Sequence, residues 1–435
     1  MKILLIRPKP HKKTIGLQNV MICEPIELMT LAAVLKNNGH QVEIIDMILE
    51  KKPLRHFIEL HKPDAVGITG YISHINIIKA YSKEIKTIDS GIKVIAGGVH
   101  AAVCPEDFDD VNIDLVARKA LDLYEYLGCE DRSERLPFRE LPQRYLKKYY
   151  YLFQENCALI KTSFGCPYSC RFCFCKEISP YSARPVDDVI EELRNIRQRE
   201  VYIVDDDFLF SRDRLLEFAK KLKDNKIDKH FLVYGRADFI AGNEDVIKIL
   251  SEAGLTAVIV GIEASSQEEL NSYNKKIQIG ENVLAIGILQ KYGIECYATV
   301  ILGVEWDRND FGRLYKFIKL NKLIFVNLQP LTPMPRTPFF DEYKDRLIIP
   351  YEEHEKWDMA HLVVKPQKLS VREYYWNILI LYYKITISPK NIAYMFRRYG
   401  VRNTLKLSVG AAKITIQYLK KIRDAKHESK FGAKH

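Results

Sequence analysis

The loop Gly165-Cys166-Pro167-Tyr168-Ser169-Cys170-Arg171-Phe172-Cys173 follows directly on a β-branched, apolar run, CALIKTS at 157–163. Three thiolates separated by three and then two residues can wrap one iron-sulfur cubane, since the short loop brings soft sulfur ligands to three of its corners. The spacing leaves the fourth iron without a protein ligand. An open position distinguishes a catalytic metal centre from a closed structural one, and here the amino and carboxylate groups of a bound amino acid would fill it. A zinc knuckle or a pair of redox thiols are the other readings of clustered cysteines. Zinc sites usually draw four ligands from two pairs, and no second Cys or His pair follows closely. Cys175 lies just outside the pattern and reads as a spare or buried thiol.

Around this loop the chain alternates strand-like and helix-like stretches. After CALIKTS come VYIVDD (201–206), FLVYGR (231–236), TAVIVGIE (256–263), ECYATVILG (295–303) and IFVNLQ (324–329). All but the last are followed by helical sequence such as DDVIEELRNIRQ. Six such units predict an incomplete barrel of parallel strands, with its chemistry in the loops at the strand C-termini. Polar groups fall at those strand ends. Asp205 to Asp207 follow the second, Arg236 the third, and Glu263 and Ser265 the fourth, all at one barrel mouth. At Gly303 the missing side chain would let a cofactor approach the backbone.

Upstream, KILLIR, QVEIID, AVGITG, KVIAGG and LVAR alternate with helical segments, one of them from Ile75 to Thr87. Five strands spaced this way predict a doubly wound, flavodoxin-like α/β domain that binds ligands outside its strand C-termini. The segments placed there are the long loop from Pro8 to Glu24, the turn Thr69-Gly70-Tyr71, and Gly97-Gly98-Val99-His100. The resulting division is a first domain over 1–125, a linker packed on a surface over 126–154 that includes Pro137 and Pro142, a partial (β/α)6 barrel over 155–345, and a helical basic segment over 346–435.

The pattern C-x3-C-x2-C with an aromatic residue before its last cysteine resembles the signature of the radical S-adenosylmethionine (SAM) superfamily. The resemblance implies that Cys166, Cys170 and Cys173 hold a 4Fe-4S cluster, that Phe172 contacts the adenine through its backbone, that Asp205 and Asp207 lie near SAM, and that Arg236, Glu263 and Ser265 are candidates for its carboxylate, amine and ribose hydroxyls. It implies reduction of the cluster, cleavage of the sulfonium to methionine and a 5′-deoxyadenosyl radical, and hydrogen abstraction from substrate. An external electron donor such as flavodoxin or ferredoxin is then needed.

A doubly wound domain ahead of such a barrel is similar to the cobalamin-binding subgroup of the same superfamily, on the segments EPIELMTLAAVLKNNGHQVEIID, PDAVGITG and IKVIAGGVHAA. Thr69, Gly70, Gly97 and Gly98 sit where the backbone would have to approach a large planar ring. The chain lacks the Asp-x-His-x-x-Gly that supplies an imidazole to cobalt in many cobalamin proteins. His11 and His100 are loop histidines to be tested for that role. Arg118-Lys119-Ala120 replaces the acidic run common after the last strand. Radical methylthiotransferases share the domain order and carry a second cluster on three cysteines; Cys23, Cys104 and Cys129 follow strands here, but their flanking residues do not match.

The 435 residues carry a formal charge of +10, with 47% hydrophobic and 28% charged residues, the balance of a folded protein. Nine cysteines, an odd number, argue for thiols rather than disulfides. The apolar run in MKILLIRPKP is too short for a signal peptide, and no stretch approaches bilayer length, so the expected location is the cytoplasm. Residues 365–435 hold 16 Lys or Arg against 3 Asp or Glu, so the basicity belongs to the C-terminal segment. Its interleaved aromatic and basic residues, with an amphipathic stretch over 403–424, suit an anionic membrane surface, RNA phosphates, or a solvated helical cap. The lipid surface is preferred to nucleic acid, since relatives in the subgroup modify lipids or hydrophobic pigments.

The function read from the sequence is thus a cobalamin-dependent radical SAM methyltransferase acting on an unactivated carbon of a lipid or other hydrophobic molecule. The alternatives are a cobalamin-free cyclisation, rearrangement or oxidation, a methylthiotransferase, and a zinc-type nucleic-acid-binding module.

Overall fold

The computed structural model describes residues 1–15, 20–133, 135–140 and 143–431, with side chains through 425. Part of the Pro8 to Glu24 loop, Pro142, and the end of the basic segment lie outside the described residues.

The first sheet has five parallel strands. Its order across the sheet is Gln41–Asp46, Lys2–Arg7, Ala65–Thr69, Lys93–Gly97 and Leu115–Val116, the doubly wound order in which the chain starts near one edge and reverses direction. Leu4, Leu5, Ile44, Val66 and Val94 are buried, as expected for strands covered on both faces. The crossover helices are Ile26–Asn37, Leu54–His61 and Ile75–Ile88. The reversal places the loops after Arg7, Thr69 and Gly97 at one edge.

The second sheet has six parallel strands in sequential order: Ala158–Ile160, Glu200–Ile203, His230–Gly235, Leu255–Glu263, Glu295–Leu302 and Phe325–Pro330. The incomplete barrel is therefore present. Its first strand is shorter than the sequence suggests, because Ser163–Phe164 turns away to pair antiparallel with Ser182–Ala183. Tyr202, Leu232, Ile259 and Tyr297 pack together on its concave side.

The segment over 126–154 departs from the expected surface linker. Tyr145 and Tyr149 are almost fully buried and donate to Glu50 and Asp46 of the first domain, while Tyr150–Tyr151 forms a small antiparallel sheet with Met21–Ile22 and Gln154–Glu155. The scattered tyrosines that gave no period are wedged between the domains. Nearby, Glu24 accepts from Arg139 and from the backbone N–H of Leu159, and Arg139 also donates to Glu192. This buried chain of charges ties the first domain, the connecting segment and the barrel.

The C-terminal segment ends in two packed helices, Val371–Thr386 and Pro389–Phe431. Ser370 begins the first with a capping box, its hydroxyl accepting from Glu373 N–H while Glu373 accepts from Ser370 N–H, an arrangement that contributes about 1 kcal/mol. No helix among the described residues is long and apolar enough to cross a membrane.

Candidate active site

The cysteine loop is held by its neighbours rather than by secondary structure of its own. Gly165 enters it at φ 66°, and a Cβ there would lie 2.4 Å from the Ser179 carbonyl oxygen, so glycine is required. Arg171 N–H donates to the Tyr273 carbonyl, Asn274 to the Ser169 carbonyl, and Cys173 N–H to the Cys170 carbonyl. All nine cysteines are free thiols. Burial pushes Cys166 up to about 11 and raises Cys170, so metal binding at these two must displace protons. Cys173 is drawn down by a hydrogen bond from Cys175. Cys175 also contacts Asp206, at 3.6 Å.

The three acidic residues after the second barrel strand do different work. Asp205 accepts from Thr162 N–H, Thr162 hydroxyl and Ser163 hydroxyl at 2.6 to 2.7 Å; its carboxylate is occupied in bracing the strand that leads to the cysteines. Asp207 is 4% exposed, and neither of its oxygens has a partner. Burial pushes its carboxyl up to about 7 against the pull of Arg236 and Lys275. Ser265 Oγ is likewise buried without a partner. Buried polar atoms are nearly always satisfied, so Asp207 and Ser265 fit a ligand that brings an ammonium and hydroxyls.

Arg236 donates to Asp238 and to the Lys275 carbonyl, and its guanidinium lies 3.8 Å from the centre of the Tyr168 ring. Glu263 adopts φ 60° and pairs with Lys275 at 2.9 Å. The Lys275 ammonium also stands 5.9 Å from the Phe172 ring centre. Lys275 and Asp238 escaped the sequence reading, because Lys275 comes from a turn with no strand-end signal. Gly303 corrects one expectation. The space its side chain would fill is taken by the Trp306 indole, 2.5 Å from an added Cβ, so that approach is closed to a cofactor.

In the first domain, Gly98 has φ 104°, and a Cβ there would meet Gly70 N and O and Thr69 Oγ1 at 2.7 Å. Gly98 is thus demanded first by the packing of the two loops on each other, and Gly70 by His74 and Ile78, which an added Cβ would meet at 2.8 and 2.9 Å. Gly97 has only Ala117 within reach, at 3.6 Å. All four residues, Thr69, Gly70, Gly97 and Gly98, line one cavity of about 2290 Å³ that also reaches Gly165, Phe174, Cys175 and Asp206. A drug-sized ligand needs roughly 300–1,000 Å³, so this space suits more than one large occupant. Tyr71 and Tyr234 are 56% and 37% exposed, but they lie deep in the molecule and their exposed faces look into the cavity, where burial raises both phenols.

Of the two candidate imidazoles, His11 lies 3.8 Å from Glu355 and is not among the cavity-lining residues. His100 lines the cavity, but its Nε2 is 2.6 Å from Asp107, which also accepts from Tyr351. His11 thus lies away from the cavity, whereas the Asp107 contact occupies one ring nitrogen of His100, the support a ligating imidazole commonly has on its other nitrogen. His74, which the sequence reading passed over, also lines the cavity and is lowered to about 4 by burial and Arg7, so it is neutral. Cys23, Cys104 and Cys129 have separate neighbours: Arg7, the pair His100 and Asp107, and His40.

Residues 13–121 match the B12 binding domain, and residues 160–318 match the radical SAM superfamily. The chain is a radical SAM protein with a B12-binding domain. This radical SAM protein is 24% identical over 415 residues to hopanoid C-3 methylase of Methylococcus capsulatus, covering 87% of this chain and 79% of that one. It is 23% identical to the anaerobic magnesium-protoporphyrin IX monomethyl ester cyclase of Rubrivivax gelatinosus, over 92% and 80% of the two chains. It is also 24% identical to bacteriochlorophyllide d C-12(1)-methyltransferase of Chlorobaculum tepidum, over 73% and 74%. Its fold matches that of the cobalamin-dependent SAM radical enzyme OxsB with aqua-cobalamin and SAM bound, at a TM-score of 0.69 and 14% identity, covering all of this chain and 81% of that one. The cofactor set of the radical SAM protein is a 4Fe-4S cluster, SAM and cobalamin.

Proposed function

We propose that the protein transfers methyl groups to an unactivated carbon of a hydrophobic acceptor. One observation carries this reading: the cavity beside the glycine loops of the B12-binding domain is continuous with the cavity beside the cysteine loop. An acceptor placed there would face both cofactors without leaving the protein. When bound, the cofactors supply one-electron cleavage of the sulfonium and delivery of the methyl group.

The protein's own groups do the rest. Cys166, Cys170 and Cys173 anchor the iron. Arg236 and Lys275, already close to Cys170, offer positive charge to the carboxylate of SAM, while Asp207 and Ser265 take its amine and a ribose hydroxyl. Phe172 flanks the adenine, and Glu263 fixes the Lys275 ammonium. Thr69, Gly70, Gly97 and Gly98 form the cobalamin-facing edge. Tyr202, Tyr234, Tyr297 and Ile259 line the barrel side of the cavity and exclude water from reactive species. A flavodoxin or ferredoxin supplies the electron, and the basic C-terminal segment meets an anionic membrane.

Anaerobic purification and reconstitution test this. The expected preparation contains iron and the absorbance of cobalamin, and converts SAM to 5′-deoxyadenosine and S-adenosylhomocysteine when an acceptor is present. 5′-Deoxyadenosine without bound cobalamin would point instead to cyclisation, rearrangement or oxidation, and a colourless zinc-loaded protein would sink the radical reading. Cys170→Ala must lose iron and SAM cleavage together.

A further inference from the structure

The helix Pro389–Phe431 breaks at Gly400, where φ is 76°, and the part beyond the break has two working flanks. Val401, Leu405, Val409, Ala412, Ile416 and Leu419 recur every three or four residues, which lines them up along one side of the helix. The five larger ones are between 42% and 62% exposed. Arg402, Lys413 and Lys420, also exposed, run along one edge of this apolar stripe. Along its other edge, Ser408, Ala411 and Thr415 line the shared cavity.

The neighbouring helix repeats the arrangement. Trp376, Ile380 and Tyr383 on Val371–Thr386, with Ile387 at its C-terminal cap, form an exposed apolar stripe, and Tyr383 and Ile387 line the same cavity. The cavity therefore borders the two helices where small side chains on one meet apolar side chains on the other. Continuous exposed apolar surface is unusual unless something covers it. An apolar stripe edged with Lys and Arg is the form taken by helices that lie in the plane of a bilayer surface, and the net charge of +13 from residue 365 onward selects anionic lipid.

We propose that this two-helix face seats on an anionic bilayer, and that the acceptor is a bilayer-resident lipid that enters the cavity between the helices, past Tyr383, Ile387, Ser408, Ala411 and Thr415. This rests on the reading that the shared cavity receives a hydrophobic acceptor. The small side chains of Ser408, Ala411 and Thr415 keep the mouth wide, and the stripes hold it against the membrane.

The test uses the full-length holoprotein with vesicles of phosphatidylcholine alone and of phosphatidylcholine with phosphatidylglycerol, at low salt. Sedimentation at least ten-fold stronger with the anionic vesicles is expected, with Trp376 fluorescence quenched by brominated acyl chains; Trp306 is buried away from the cavity and stays unquenched. The double variant V409E/I416E must lose both signals while keeping iron and SAM cleavage. Ala411→Trp must keep vesicle binding but lose the blue-shifted emission of dansyl-phosphatidylglycerol drawn into the protein. Absence of vesicle binding, binding unchanged in V409E/I416E, lipid uptake unchanged in Ala411→Trp, or preference for an RNA oligonucleotide over anionic vesicles overturns the proposal. SAM cleavage measured in the same preparation separates the two readings: cleavage without vesicle binding removes only the membrane port, whereas vesicle binding without cleavage removes only the methyltransferase.

Discussion

Asp205 and Thr162 are joined by two hydrogen bonds of 2.6 Å, one from the Thr162 backbone and one from its hydroxyl. Ser163 adds a third from its hydroxyl, so one buried carboxylate fixes the exit of the first barrel strand three residues before Cys166. Asp205→Ala is expected to cost about 1–3 kcal/mol for the donors left unpaired and to lower iron retention after gel filtration. Thermal unfolding and iron analysis measure the two effects. Unchanged iron content with a lowered melting temperature would confine Asp205 to general stability.

Glu263 and Lys275 present a sharper case, because both are at least nine-tenths buried. Removing one partner of a buried ion pair leaves an uncompensated charge and typically costs about 3–5 kcal/mol, whereas replacing both is far milder. Lys275→Met alone should therefore unfold at markedly lower urea than the double variant E263Q/K275M. Both should bind SAM weakly by calorimetry, since the ammonium is gone in each.

The Asp207 carboxyl sits at about 7 in the folded protein against an ordinary 3.8. The folded chain then holds a proton that the unfolded chain has released, so this residue's contribution to stability falls as pH rises from 3.8 to about 7 and is flat above. Asp207→Asn removes that slope. In cofactor-free protein, the stability of the variant relative to wild type should grow through this window, as followed by denaturant unfolding at pH 5 and pH 8. SAM binding at neutral pH should be weakened by the same substitution.

Gly97 and Gly98 are adjacent but predict opposite outcomes. Gly98→Ala places a Cβ 2.7 Å from the Gly70 backbone at a φ of 104°, and it should destabilise the protein and displace the Thr69-Gly70 loop. Gly97→Ala meets nothing nearer than 3.6 Å and should fold normally. Any loss of cobalamin absorbance in Gly97→Ala then reports contact with the cofactor rather than damage to the loop.

Both parallel sheets were legible because strands buried on two faces form uninterrupted β-branched runs, as in AVGIT and TAVIVGIE, and each is followed by an amphipathic helix. The cysteine triad stood out because three soft ligands this close in the chain suit one cluster, an assignment that the iron content of Cys170→Ala tests. Asp205 and Asp207 were not separable by sequence. They differ only in which way the backbone turns after Ile203, and that turn gives one of them Thr162 and Ser163 while leaving the other empty-handed. Lys275 was invisible because its partner, Glu263, lies twelve residues away across a helix. Gly303 misled because the residue that fills its space, Trp306, follows in an irregular turn rather than on a strand. The segment over 126–154 was misjudged because its tyrosines bury rings yet spend their hydroxyls on Glu50 and Asp46, so neither apolar periodicity nor charge betrays the burial.

The buried chain Glu24, Arg139 and Glu192 locks the B12-binding domain to the barrel through the segment between them. Jaws riveted in this way resist gaping, because prising them apart would strand charges in a dry interior. A guest as bulky as a lipid would then have to come and go through a side entrance rather than between parted domains.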